Sequence, residues 1–148
     1  MFKRVLVVCS GNICRSPLAQ VLLSRLLPNI SIDSAGVLVD HHDLSAHPAV
    51  NNSRIVAKEN GLDLSNHKAK QLTSELIDDC DLILVMTHEH LEQVAQIGRG
   101  ARAKALLLGQ WIGVGEIEDP IGKDIDAFRK SYELLEKACL SWSKRLSK

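Results

Sequence analysis

Two spacings of apolar residues alternate along this chain, one suited to buried strands and one to helices. Residues 4–9 (Arg-Val-Leu-Val-Val-Cys) form a short β-branched run, the mark of a parallel strand covered on both faces. From Arg15 onward, with Pro17 near the first turn, Ala19, Leu22, Leu23 and Leu26 fall on one helical face. Residues 30–34 read as a second strand, and 49–60 as a helix stopped by Gly61. A third strand is expected over 81–86, a helix over 88–97 and a fourth strand over 104–108. Ile125, Phe128, Tyr132, Leu135, Cys139, Trp142 and Leu146 then recur at gaps of three and four, which predicts an amphipathic helix laid on the sheet. Repeated strand–helix winding places the chain in the α/β class, as a doubly wound parallel sheet whose ligands bind beyond the carboxyl ends of the strands. The first such end is Cys9. No repeat, low-complexity tract or linker interrupts the pattern, so residues 1–148 are read as one domain.

Composition narrows the functional classes. With 148 residues, 45% of them hydrophobic, the chain can bury a sizeable core. Its 18 basic and 18 acidic side chains balance, leaving no basic surface for nucleic acid or anionic lipid. No apolar run approaches the roughly 20 residues of a membrane span. Aromatic residues are absent between residues 3 and 110, so base-stacking platforms are not available there. The apolar stretch 5–9 runs straight into Ser10-Gly11-Asn12 and is too short for a signal peptide, and the chain is read as cytoplasmic. That compartment keeps Cys9, Cys14, Cys80 and Cys139 reduced. Four residues separate Cys9 from Cys14, a spacing that fits neither a redox pair nor a zinc knuckle, and Cys80 and Cys139 read as small core fillers.

The chemistry concentrates between the first strand and the first helix, in Cys9-Ser10-Gly11-Asn12-Ile13-Cys14-Arg15-Ser16-Pro17. Successive main-chain N–H groups can converge there, and the helix dipole adds positive potential, which makes an anion nest. Gly11 and Asn12 are the residue types that most readily take the positive φ such a curl requires. Cys9 sits at the rim, where amides, dipole and Arg15 all favour thiolate over thiol. The Arg15 fork can hold two oxygens of a tetrahedral oxyanion and follow them as a phosphoryl group becomes planar. Ser16 can donate its hydroxyl to the sulfur, both when the thiolate attacks and when it leaves. The loop lacks the Gly-Lys-Ser/Thr of nucleotide-binding loops. Phosphoryl transfer from an aryl ester also needs a carboxyl group to protonate the leaving oxygen and later deprotonate water. Asp119, stiffened by Pro120, suits that task, although position leaves Glu116 and Glu118 equally open.

Val8-Cys9-x-Gly11-Asn12-Ile13-Cys14-Arg15-Ser16-Pro17 resembles the signature of the low-molecular-weight protein tyrosine phosphatases. The resemblance continues through Ser34-Ala35-Gly36, His67 with 68–73, 81–86 and Asp119-Pro120, nearly the whole chain. It implies a four-stranded parallel sheet in order 2-1-3-4 with helices on both faces and a phosphate loop after strand 1. It implies hydrolysis of phosphotyrosine through a cysteinyl-phosphate without a cofactor. Cys9 is then the nucleophile, Arg15 the phosphate clamp, Asp119 the general acid and base, and Ser10, Gly11, Asn12, Ile13, Cys14, Arg15 and Ser16 the phosphate-binding loop. Asn12, Ser16, Ser34 and His67 match residues that brace the loop. Cys14 matches a cysteine that can form a reversible disulfide with the nucleophile. By resemblance to the enterobacterial branch, the partner is the tyrosine-rich tail of a membrane tyrosine autokinase controlling capsule or exopolysaccharide export.

The match departs at the walls of the substrate slot. Family members usually carry an aromatic residue after Asp-Pro, whereas this chain has Ile121, losing an aromatic contact of about 0.5–1.5 kcal/mol. The opposite wall should come from 37–48, which has no aromatic residue and looks longer than in bacterial members; Leu38, Val39 and Leu44 are its candidates. Three other readings compete. Thiol-dependent arsenate reductases need two further cysteines close together after the third strand, and 87–110 has none. Protein arginine phosphatases carry threonine at the position of Ile13. A non-catalytic phosphate or phosphotyrosine reader could use the same nest, but Cys9, Arg15 and Asp119 together favour turnover. His41, His42 and His47 with Asp40 and Asp43 show no diagnostic ligand spacing, so no metal site is read there. His88 and His90, two apart on a helix, should face apart.

Overall fold

A computed structural model describes residues 2–147. The elements run β1 (Arg4–Cys9), α1 (Arg15–Leu26), β2 (Ser31–Gly36), α2 (Asn51–Glu59), α3 (Ser74–Asp79), β3 (Leu82–Val85), α4 (His88–Ile97), β4 (Ala105–Leu107) and α5 (Ile125–Leu146), with a 3-10 turn at Ala101–Lys104. All strand pairs are parallel, in the order β2-β1-β3-β4. Because side chains alternate along a strand, β1 serves two cores. Val5, Val7 and Cys9 pack with Leu18 and Leu23 of α1 and with Phe128 and Leu135 of α5. Leu6 and Val8 pack with Ile77 of α3 and Val94 of α4. Helices therefore cover both faces, and the apolar stripe of α5 is buried at Phe128, Tyr132, Leu135, Cys139, Trp142 and Leu146. The Trp142 indole donates to the main-chain oxygen of Leu108 at 2.8 Å, satisfying its one polar atom.

The elements differ from expectation at their edges. β2 starts at Ser31 and extends to Gly36, because its register with β1 runs on until Cys9 faces Gly36. Only Gly fits at that end: a Cβ on residue 36 would lie 2.5 Å from Ser10 O and 2.9 Å from Asn12 N. α3 was not expected at all. Its six residues bury only Ile77, too little for a periodic stripe, and its signal is local, the Thr73 hydroxyl accepting from Leu76 N at 3.2 Å. Cys80 and Cys139 are buried, as core fillers should be, and burial pushes both thiols upward from their ordinary value.

Candidate active site

The carboxyl end of β1 and the first turn of α1 converge on residues 9–15. Cys14 caps α1 without a side-chain hydrogen bond, and no acidic residue occupies the first turn. The leading amides and the positive end of the dipole are thus left to an anion in the loop. The curl comes from Asn12 alone, at φ 55°; Gly11 is not among the positive-φ residues. Gly11 serves instead by being small, since a Cβ there would sit 3.0 Å from Leu44 Cδ1.

Hydrogen-bond directions around Asn12 determine which group faces the sulfur. Lys70 N, a donor, lies 3.0 Å from Asn12 Oδ1, which orients the amide. Asn12 Nδ2 therefore donates to Ser16 Oγ at 2.8 Å and to Ser34 Oγ at 3.0 Å. Ser34 in turn donates to Gln20 Oε1 at 2.6 Å. Ser16 Oγ, already an acceptor, has its proton free for Cys9 Sγ at 2.9 Å. His67 Nε2 donates to Asn12 O at 2.6 Å, which sets its tautomer, and burial lowers its pKa so that the ring is neutral. Asn12, Ser16 and Ser34 are buried, so every member of this chain depends on the others for a partner.

Arg15 is 3% exposed. Its Nη1 donates to Ile117 O at 2.7 Å, Nη2 lies 3.6 Å from Asp119 Oδ2, and Nε is buried without a partner. A buried guanidinium N–H is costly to leave unmade, and an oxyanion in the loop would take it. Asp119 is 42% exposed, and its Oδ1 accepts from Ile121 N at 3.0 Å, so the turn aims the carboxyl group. Cys9, Arg15 and Asp119 line one cleft of about 260 Å³ with Ser10, Gly11, Ile13 and Cys14. Burial pushes the Cys14 thiol up to about 12, with the nearby Ser53 hydroxyl opposing the shift, so it is a thiol at neutral pH.

The cleft walls correct the sequence reading in part. Leu44 and Ile121 line it, but Leu38 and Val39 do not. After β2 the chain keeps following the phosphate loop, Val37 N donating to Cys9 O and Leu38 N to Ser10 O, and this turns Val39 into the interior at 0% exposure while Leu38 packs on the second core. His42 takes their place as a lining residue, its ring edge-on to His41 at 5.0 Å.

Two further residues escaped the sequence reading. Gln20 lies one helical turn beyond Ser16, and only the fold brings it to Ser34 across β2. His90 does face away from His88, but inward: it is 3% exposed and its Nε2 lies 2.9 Å from Ser10 Oγ, whereas exposed His88 pairs with Glu116. Burial, reinforced by the Arg15 charge, lowers His90 to about 4 and keeps it neutral. Its signal in the sequence is the position three residues after the Thr87 cap, on the face that α4 turns toward the loop.

Comparison with known proteins bears on this geometry. The family model described as low molecular weight phosphotyrosine protein phosphatase matches residues 4–148. The chain is 45% identical to the low molecular weight protein-tyrosine-phosphatase Etp of Escherichia coli K12, covering 99% of this chain and 97% of that one. Its fold is similar to that of Vibrio vulnificus Wzb in complex with benzylphosphonate, with a TM-score of 0.96 at 44% identity over 99% of this chain and 100% of that one. It is also similar to the tyrosine phosphatase Wzb of Escherichia coli K30 in complex with sulphate, with a TM-score of 0.93 at 44% identity over 99% of both chains.

Proposed function

The chain belongs to the low molecular weight phosphotyrosine protein phosphatase family and is a protein tyrosine phosphatase, and from that premise we propose how its own residues divide the reaction. Cys9 Sγ attacks phosphorus in line with the aryl oxygen. The S–P bond forms as the P–O(aryl) bond breaks, and the proton of Asp119 passes to the departing phenolate. Arg15 and the loop amides hold the equatorial oxygens as their charge redistributes. In the second step Asp119 takes a proton from water, the water oxygen bonds to phosphorus, and Sγ leaves as a thiolate stabilised by the Ser16 hydroxyl. The observation that carries this assignment is the convergence of Cys9, the buried Arg15 fork and Asp119 on one cleft, with the Ser16 hydroxyl in hydrogen-bond contact with the sulfur.

The phenyl ring lies between Leu44 and Ile121, beside His42, and the substrate is the tyrosine-phosphorylated tail of a membrane tyrosine autokinase governing capsule or exopolysaccharide export. Named relatives such as the tyrosine phosphatase Wzb of Escherichia coli K30 support the tyrosine specificity, and the sulphate in that structure supports an oxyanion in the loop. Among the described residues no helix is long and apolar enough to cross a membrane. With all four cysteines free, a reducing compartment suits the chain, and we place it in the cytoplasm. An arsenate-reductase relay is disfavoured by position: Cys80 precedes the amino end of β3 and donates to Ile77 O, whereas the cleft lies at the carboxyl ends of the strands.

Hydrolysis of an aryl phosphate by the native protein and by Cys9→Ser, with acid-quench trapping of the phosphoenzyme, tests the assignment. We expect turnover by the native protein, essentially none by the variant, and phosphorus recovered on Cys9. Undiminished turnover by Cys9→Ser would refute it.

A further inference from the structure

A second depression, of about 330 Å³, adjoins the cleft. The two share Asp119 and no other lining residue, so this groove occupies the other side of the loop that carries the proposed acid. Val114, Pro120 and Leu134 give it apolar walls. Three carboxylates and two ammonium groups line it, and they differ in how far each is already engaged. Glu116 is engaged by His88, whose main-chain N–H and ring Nδ1 lie 2.8 and 3.0 Å from its carboxylate. Asp119 is drawn to Arg15 and to Ile121 N on the cleft side. Glu118 is then the one lining carboxylate without a partner among the described residues, set against two ammonium groups, Lys123 and Lys130, that likewise make no ion pair or side-chain hydrogen bond. Ser131, which also lines the groove, has a buried hydroxyl with no partner. Two unpaired cations against a single unpaired carboxylate, with an unmet hydroxyl beside apolar walls, suit a side chain with an aliphatic stem and an anionic end.

Resting on the phosphatase reading above, we propose that this groove seats a glutamate of the substrate chain close in sequence to the phosphotyrosine. Continuity with the cleft argues for the substrate as occupant. A phosphotyrosine in the cleft brings its own polypeptide over the Asp119–Pro120 turn, and an extended chain advances only about 3.3–3.6 Å per residue, so the occupant is a near neighbour. Lys123 and Lys130 read that neighbour, while the cleft reads the phosphorylated ring.

The test is kcat/KM on phosphotyrosyl peptides in which each flanking position in turn carries Glu or Gln, at low ionic strength, with an aryl phosphate as the control. We expect one or two adjacent positions to prefer Glu by roughly three- to tenfold, through KM, as two partly exposed ion pairs allow. The preference should vanish in the Lys123→Gln, Lys130→Gln double variant, while its aryl phosphate turnover stays within about twofold of native. No preference at any position, a preference for Gln, or a Glu preference that survives in the double variant would each overturn the proposal. Failure of the native protein to hydrolyse the aryl phosphate would instead overturn the phosphatase assignment on which it rests.

Discussion

Ser16→Ala isolates the hydrogen bond that holds the sulfur. The hydroxyl lies 2.9 Å from Cys9 Sγ and its proton is free for that contact, because Asn12 Nδ2 donates to the same oxygen at 2.8 Å. A hydrogen bond to a charged group contributes about 1.5–3 kcal/mol. At 1.36 kcal/mol per tenfold, losing it from the departing thiolate slows breakdown of the cysteinyl-phosphate by about 10- to 150-fold. The deficit falls on the second step, so stopped-flow measurement should show a burst of phenol approaching one per enzyme, followed by a depressed steady rate independent of the leaving group. The variant also orphans a buried Asn12 N–H, at about 1–3 kcal/mol, which lowers Tm by several degrees for a domain of this size. Ser34→Ala separates the two effects: it removes the other acceptor of Asn12, at 3.0 Å, and leaves the sulfur contact in place. That control should lose comparable stability yet keep kcat within about threefold of native. A folded Ser16→Ala enzyme with kcat within threefold of native, or an equal kcat loss in Ser34→Ala, would show that the hydroxyl does not serve the sulfur.

The other expectations are read by kinetics and by melting. Asp119→Ala should lower kcat/KM, which reports the first step, by roughly 100-fold for phenols that leave poorly and far less for an acidic nitrophenol, a dependence seen by varying the leaving group; a kcat/KM loss that is uniform across leaving groups would move the acid elsewhere. His90 has a folded pKa of about 4, below its unfolded value of about 6.5. Between those values the unfolded chain binds more protons, so His90 costs no stability above pH 6.5 and up to roughly 3 kcal/mol as pH falls to 4. Denaturant melts of His90→Gln should show a shallower decline than native across that window, and parallel curves would contradict the assignment. Peroxide should produce a Cys9–Cys14 disulfide that dithiothreitol reverses, forming faster as pH rises because the Cys14 thiol stands at about 12. With Cys14→Ser, mass spectrometry should find Cys9 carried on to the irreversible acids.

The site was legible in so far as it is local. The eight residues 9–16, from the end of a strand through its loop into a helix, have their amides, rim sulfur and guanidinium placed by local backbone geometry, which is why Cys9, Arg15 and Ser16 could be read together. Ser34 and His67 were reached only through family resemblance, since no spacing links them to Asn12, and they meet it because β2 pairs alongside β1 and the segment before α3 crosses the loop. Gln20 and His90 carried no such mark. Leu38 and Val39 were assigned to the cleft by composition, and the run of hydrogen bonds from β2 onto the phosphate loop turned Val39 inward instead.

Periodicity and the order of apolar runs were enough to determine the class, the parallel sheet and the end of it that holds the chemistry, because burial of alternate residues on a strand and of every third or fourth on a helix is a property of neighbours along the chain. Tertiary structure alone decided which hydroxyl donates, which histidine is neutral, which walls bound the slot and that a second groove lies beside Asp119. Each of those depends on atoms from segments far apart in sequence, where desolvation and hydrogen-bond direction are set by what packs across the sheet.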